Sequence, residues 1–168
     1  ARFVVRSNPS GATGAIEIAS SPSVPVVPGP VSRVRVVNAA LVAVNALART
    51  TDQDTTHLYL RGYDDHDNAV RFVSATWGVT GGIGAPNPAA GVGTVLVLTN
   101  TGSGYAVADS GGMSDSTGLV TVTHGVYVRL ALALPSTAIA GAPFAASVGA
   151  RDADGNAVPD GPGSAAPI

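Results

Sequence analysis

The chain has no cysteine and no lysine, and among its 168 residues only 12% are charged and 5% aromatic. Without cysteine, neither a disulfide framework nor a thiolate metal site can form, and the redox compartment is left open. All nine basic residues are arginine, scattered along a chain of formal charge −2. No basic patch therefore exists to hold nucleic acid or an anionic membrane. The apolar runs are broken by Arg, Pro or Gly well short of the roughly 18 residues of a helical membrane span, so no membrane insertion is expected. The opening residues hold no basic stretch leading into an apolar one, and Pro22, Pro25, Pro28 and Pro30 interrupt the segment after them. They read as part of a fragment or processed product and not as a signal peptide. No Asn-x-Ser/Thr sequon survives, because Asn8 is followed by Pro9, so any sugar would be O-linked. Helix signals are also scarce. Only Ala39 to Ala48 is rich in Ala and Leu, and Val42-Ala43-Val44 with neighbouring asparagines favours a strand or an irregular edge there.

Apolar residues, by contrast, reach 45%, enough for a core, and they alternate with polar ones between 21 glycines and 12 prolines. Period-two alternation between such breakers is the all-β signature. Strands are predicted at 31–37, at 56–63 with Leu58 and Leu60 facing one way, and at 69–79 with Phe72, Val73 and Trp77. A long Gly/Pro loop over 81–91 comes next. Strands around Val95 and Val97, Tyr105 and Val107, and Leu119, Val120 and Val122 complete about seven in the 96 residues 29–124. Trp77, the single tryptophan, is the natural centre of the core, since its indole buries more area than any other side chain.

The chain also echoes itself. Gly29-Pro30-Val31-Ser32-Arg33-Val34-Arg35-Val36 returns as Gly125-Val126-Tyr127-Val128-Arg129-Leu130-Ala131-Leu132, an offset of 96. Tyr63-Asp64-Asp65-His66-Asp67-Asn68-Ala69-Val70 returns as Arg151-Asp152-Ala153-Asp154-Gly155-Asn156-Ala157-Val158, an offset of 88, so the first copy carries eight more residues between strand and turn. A repeat of this length matches one β-sandwich domain and is too long for a solenoid. Residues 29–124 are thus expected to be a complete repeat. Residues 1–28, with apolar stretches at Phe3-Val4-Val5, Ala15 to Ile18 and Val24 to Val27, read as the closing strands of a preceding repeat. Residues 125–168 read as the opening strands of a following one.

These motifs resemble the bacterial immunoglobulin-like domains found in tandem in large surface proteins. The likeness rests on the opening Gly-Pro-Val-x-x-Val-x-Val, the Gly62-Tyr63-Asp64-x-x-x-Asn68 turn and Trp77. It continues through Gly102-Ser103-Gly104-Tyr105-Ala106-Val107-Ala108 and Ser116-Thr117-Gly118-Leu119-Val120-Thr121-Val122-Thr123. It spans essentially the whole chain. It implies an all-β, immunoglobulin-like Greek-key sandwich, and modules that serve as stalks, spacers, adhesive arms or accessory modules of secreted enzymes. Such turn and core signals speak for fold and hardly at all for function.

Asp152-x-Asp154-Gly155-Asn156 has the start of a calcium loop, with oxygens at alternate positions. Asp152, Asp154 and Asn156 are the candidate ligands, and calcium is the one candidate cofactor. No acidic residue stands at the twelfth position, Glu17 being the only glutamate, and Asp and Gly also suit a tight hairpin, so a structural turn is expected ahead of a calcium site. The first copy puts His66 at the matching place. His57, His66 and His124 show no metal-ligand spacing, and His124 reads as an exposed linker residue. Asp64, Asp65 and Asp67 read as a solvated turn sooner than as an acid/base pair. Ser103, Ser110 and Ser114 lie in Gly-rich stretches without a nucleophile elbow. Gly81-Gly82-Ile83-Gly84 opens no helix to cradle phosphate. Tyr59, Tyr63 and Tyr127, one to a strand face, read as ordinary packing sooner than as sugar-stacking residues.

The expected protein is a non-enzymatic repeat of a prokaryotic extracellular or cell-surface filament, stalk or adhesin. Its partners would be neighbouring repeats or identical subunits, in a covalent array or joined head to tail by strand complementation. The alternative is an accessory module of a secreted enzyme, binding a surface glycan or protein ligand.

Overall fold

The computed structural model describes residues 4–7, 16–20, 23, 25–53 and 56–160. The strands are β1 (Val4–Ser7), β2 (Ile16–Ser20), β3 (Arg33–Asn38), β4 (Ala46–Thr50), β5 (Thr56–Tyr63), β6 (Ala69–Phe72), β7 (Ala75–Val79) and β8 (Gly84–Asn87). They continue as β9 (Ala90–Gly91), β10 (Gly93–Leu98), β11 (Gly102–Gly104), β12 (Ala106–Ser110), β13 (Met113–Ser116), β14 (Leu119–Thr123), β15 (Arg129–Ala133) and β16 (Ser147–Arg151). The described residues contain no helix.

Strands β3 to β14 build two facing layers. One runs β3-β5-β10-β8, with β6 beside β10 on the same edge of β5. The other is formed by the hairpin of residues 102–123. Near its tip β12 pairs with β13 and β7, and at its base β11 pairs with β14, which pairs with β4. Alternation in sequence becomes alternation in burial. Val36, Leu58, Leu60, Leu96 and Leu98 of the first layer meet Ala75, Trp77, Ala106, Ala108, Val120 and Val122 of the second in one core. Ala108 lies opposite Trp77 in the ladder, a small side chain beside the largest. Trp77 is 3% exposed, and its indole N–H donates to the Gly91 carbonyl at 3.0 Å.

The segment 39–48 contains no helix. The Asn38 side chain accepts from the backbone N–H groups of Ala40 and Val42 at 2.9 and 3.1 Å and turns the chain. That turn moves it from one layer to the other. β3 runs antiparallel to β5, whereas β4 runs parallel to β14, from Leu119 opposite Ala46 to Thr123 opposite Thr50. A Cβ at Gly118 would fall on the Asn45 carbonyl, so this close approach requires glycine.

Two expectations need correction. The single strand predicted over 69–79 is broken at residues 73–74. Val73 still donates to the Leu60 carbonyl at 2.9 Å, but from Ala75 onward the chain pairs with β12 in the opposite layer. The loop predicted over 81–91 contains β8 and β9. β8 adds to the edge of β10, despite Pro86, by pairing where proline's missing N–H is tolerated. Such breaks turn about seven predicted strands into the twelve short segments β3 to β14.

On either side lie two-stranded ladders. β1 pairs with β2, its register shifting between Val5 and Arg6, and β15 pairs with β16. Phe3, Ala15, Val24 and the tail 161–168 lie outside the described residues.

Candidate functional site

The most elaborate polar construction is the aspartate turn, and it occurs twice. In the first copy, Asp64 Oδ1 accepts from the backbone N–H groups of His66 and Asn68, both at 2.9 Å. Oδ2 accepts from the Gly29 N–H at 2.9 Å, and the Asn68 amide reaches both oxygens, at 3.2 and 3.0 Å. In the second copy, Asp152 Oδ1 accepts from the Asn156 N–H at 2.7 Å and Oδ2 from the Gly125 N–H at 3.1 Å. The Asn156 amide again reaches both oxygens, at 3.2 and 3.0 Å.

The surrounding backbone follows the same scheme. Asp64 N–H donates to the Asn68 carbonyl at 3.0 Å, and Asp152 N–H to that of Asn156 at 3.1 Å. Tyr63 faces Ala69, and Arg151 faces Ala157. Ser32 N–H donates to the Tyr63 carbonyl as Val128 N–H does to that of Arg151. The fourth turn residue must be left-handed, and Asp67 sits at φ 68° where Gly155 sits at φ 93°. An aspartate is among the few residues that accept this conformation. Arg33 forms an ion pair with Asp67. The two sequence offsets, 96 before the turn and 88 within it, thus correspond to two copies of one hydrogen-bonded unit.

Both carboxylates are buried, Asp64 at 3% exposure and Asp152 at 0%. The Asn68 amide, followed by the Gly29 N–H, holds the Asp64 carboxyl well below the usual carboxylate range. Burial pushes the Asp152 carboxyl up, but the Asn156 amide, the Thr51 hydroxyl and the Gly125 and Asn156 N–H groups outweigh it and hold this group well below that range too.

Of the candidate calcium ligands, the structure brings Asp152 and Asn156 together but leaves Asp154 exposed. Asn156 presents its N–H₂ donor to the carboxylate, and its Oδ1 accepts from Thr101 N–H at 3.4 Å. The Asp152 oxygens are thus engaged by donors, the work of a turn anchor. Among the described residues no three His, Cys, Asp or Glu side chains stand close enough to share a metal ion.

Asp64 is not a solvated turn residue but the buried hub of the turn, while Asp65 and Asp67 are exposed. His57 and His66 are exposed on separate elements. His124, expected as an exposed linker residue, is half-buried, its Nδ1 at 3.0 Å from the Gly125 carbonyl. Ser103, Ser110 and Ser114 lie on β11, β12 and β13. Gly81 and Gly82 both have positive φ, in a turn that leads into β8.

Sequence reasoning missed the residues on which the second turn rests. Thr51 donates its hydroxyl to Asp152 Oδ2 at 2.7 Å, and Asp52 Oδ2 accepts from Val126 N–H at 2.6 Å. The Asn156 amide donates to the Thr99 carbonyl at 3.0 Å. Nothing in the sequence marks Thr51 or Thr99, because one threonine among many carries no pattern. Gly29 and Gly125, by contrast, were legible as the first residue of each echo. Fold and site together define an all-β, sandwich-like protein whose main polar site is a repeated turn built around a buried aspartate. Comparison with family models, curated proteins and solved structures finds no match to this chain.

Proposed function

We propose that the chain is a structural, non-enzymatic stretch of a tandem array of immunoglobulin-like Greek-key sandwiches, in a prokaryotic extracellular filament, stalk or adhesin. On this reading residues 29–124 are one whole repeat, 1–28 close the preceding one and 125–168 open the next. The strand order supports it: one layer of β3, β5, β10 and β8 faces another of β4, β14, β11/β12 and β7, with the opening strand shared between layers.

The observation that carries the proposal is the β15–β16 hairpin. It repeats β3 and β5 down to the turn; Ala150, nearest the turn, is buried, yet the leucines of its core face are exposed. Leu132 faces Val148 in the ladder as Val36 faces Leu60. Val36 is 1% exposed, whereas Leu132 is 61% exposed. Leu130 beside it is 57% exposed. A sandwich half with leucines at its core positions calls for further strands, from the same polypeptide or from an identical subunit. The low charge and absence of lysine suit sheet edges that are meant to be paired.

The test is the denatured mass of the native polypeptide, together with its digestion by protease added to intact cells. A chain of many repeats, cut by external protease, is the expected result. A mass near 16.5 kDa with a ladder of native oligomers would select subunits joined by strand complementation. A monomer of that mass, shielded inside the cell, would refute the proposal.

One observation favours the binding-module alternative. On the outer face of the first layer, Arg35 and Arg61 are direct cross-strand partners. Like charges so placed oppose each other. Arg35 lies 5.4 Å from the Tyr63 ring centroid and Arg61 4.8 Å from that of Phe72, with Tyr59 5.7 Å from Phe72. Two guanidinium forks among aromatic rings suit a uronic-acid polysaccharide. Retention on such a polymer that is lost in the Arg35→Ala/Arg61→Ala variant would support this reading, and equal elution of both proteins would dismiss it.

A further inference from the structure

The two aspartate turns differ in what lies beyond them. The Asp152 turn is seated on the far end of the central unit through the Thr51 hydroxyl, the Thr99 carbonyl and the Thr101 N–H. Asp64 keeps every kind of bond that Asp152 makes within its own copy, but among the described residues no hydroxyl donates to it. Asn68 Oδ1, the counterpart of the atom that accepts from Thr101, has no partner among them either.

The space differs in the same sense. A Cβ on Gly125 would fall on the Asp52 carboxylate, whereas on Gly29 it would meet, among the described residues, only Asp64, at 3.6 Å or more. Among the described residues nothing fills beside Gly29 the room that the central unit fills beside Gly125. Pro30 stands where Val126 does and has no N–H, so the Asp52 bond has no counterpart there; the other three do.

We propose that the Gly29–Asp64–Asn68 end of the central unit is a docking seat for the Thr51–Thr99–Thr101 end of another copy of this repeat, whose Thr51 donates to Asp64 Oδ2. The inference rests on the array reading and adds to it how consecutive repeats join. The joint is a hydrogen-bonded seat centred on a buried carboxylate, and it fixes the angle between neighbours where a Gly/Pro linker alone would leave it free. The occupant is a second copy because the same chain already shows that end seated on the same turn.

The test duplicates residues 29–124 in place within the full chain, between His124 and Gly125, which preserves the spacing from His124 to the next glycine. Amide hydrogen exchange then reads Gly29 in each copy. A hydrogen bond to a charged group contributes about 1.5–3 kcal/mol. Gly29 of the trailing copy should therefore exchange about tenfold or more slowly than Gly29 of the leading copy, and about as slowly as Gly125. Thr51→Val, which keeps the shape and removes the hydroxyl, should abolish that difference when placed in the leading copy. Placed in the trailing copy it should act at Gly125 alone. Two folded copies whose Gly29 amides exchange alike, with Thr51→Val silent in the leading copy, would overturn the seat and leave the array reading standing. An inserted copy that stays unfolded, its Trp77 fluorescence that of an indole in water, would overturn both.

Discussion

Replacing Trp77 by alanine removes the largest side chain from the place where the two layers meet. The indole is 3% exposed, lies opposite Ala108, and is flanked in the same core by Ala75 and Ala106. Three alanines have no side chain long enough to fill the hole, so the cavity stays open and the cost falls in the upper part of the range for such truncations, about 3–5 kcal/mol. The indole N–H bond to Gly91 adds little, because Gly91 is half-buried on the short edge strand β9 and water can replace the donor. Set against a stability of roughly 5–15 kcal/mol for a domain of this size, the variant should be marginal. With a urea slope of about 1.5 kcal/mol/M, a loss of about 4 kcal/mol moves the midpoint down by about 2.5 M. Trp77 is the only tryptophan, so the substitution removes the fluorescent reporter, and far-UV circular dichroism is the suitable assay. Trp77→Phe, which retains a ring, should lose less than half as much. A midpoint within about 0.5 M of the parent at unchanged slope would refute the placement of Trp77 between the layers.

The aspartate turns give two further predictions. Both carboxyls have folded values below the ordinary one of about 3.9. Their stabilisation is therefore complete above about pH 4 and is lost as pH falls through the folded values. Urea midpoints should be flat with respect to these groups at neutral pH and drop in strong acid, and Asp64→Asn should weaken that drop; an unaltered acid profile in the variant would count against the buried hub. Gly125→Ala should push Asp52 off the Val126 N–H and loosen the contact between the central unit and the β15–β16 hairpin, read as faster exchange at Val126, while Gly29→Ala in the same chain should leave exchange around Asp64 close to the parent's. Equal effects at both glycines would contradict the difference in their surroundings.

Much of the fold was legible in the chain. Leu58 and Leu60 alternate with His57, Tyr59 and Arg61, and Val120 and Val122 with Thr121 and Thr123, and a two-residue period on a half-buried strand has one physical reading. Trp77 declared itself by size and singularity. The echo of Gly29 to Val36 in Gly125 to Leu132, and of Tyr63 to Val70 in Arg151 to Val158, announced that one turn is built twice. What local pattern leaves open is partnership across distance. Residues 69–79 have the composition of one strand, and only the pull of two different neighbours, Leu60 in one layer and β12 in the other, divides them. Pro86 argued for a loop because sequence does not tell an edge from a centre.

The aspartate turn separates the two sources of information most sharply. Its sequence, an aspartate followed four residues later by asparagine, determined that the chain reverses there and which backbone groups the carboxylate can reach, since those distances are set by local geometry. It left open whether the oxygens face a cation, solvent or protein. The tertiary structure decided that, by bringing Gly29 to Asp64 across 35 residues and Thr51 to Asp152 across 101. Donors supplied from so far away join the local asparagine amide in outweighing the upward push of burial on the carboxyl, and only the packing of two layers sets their positions.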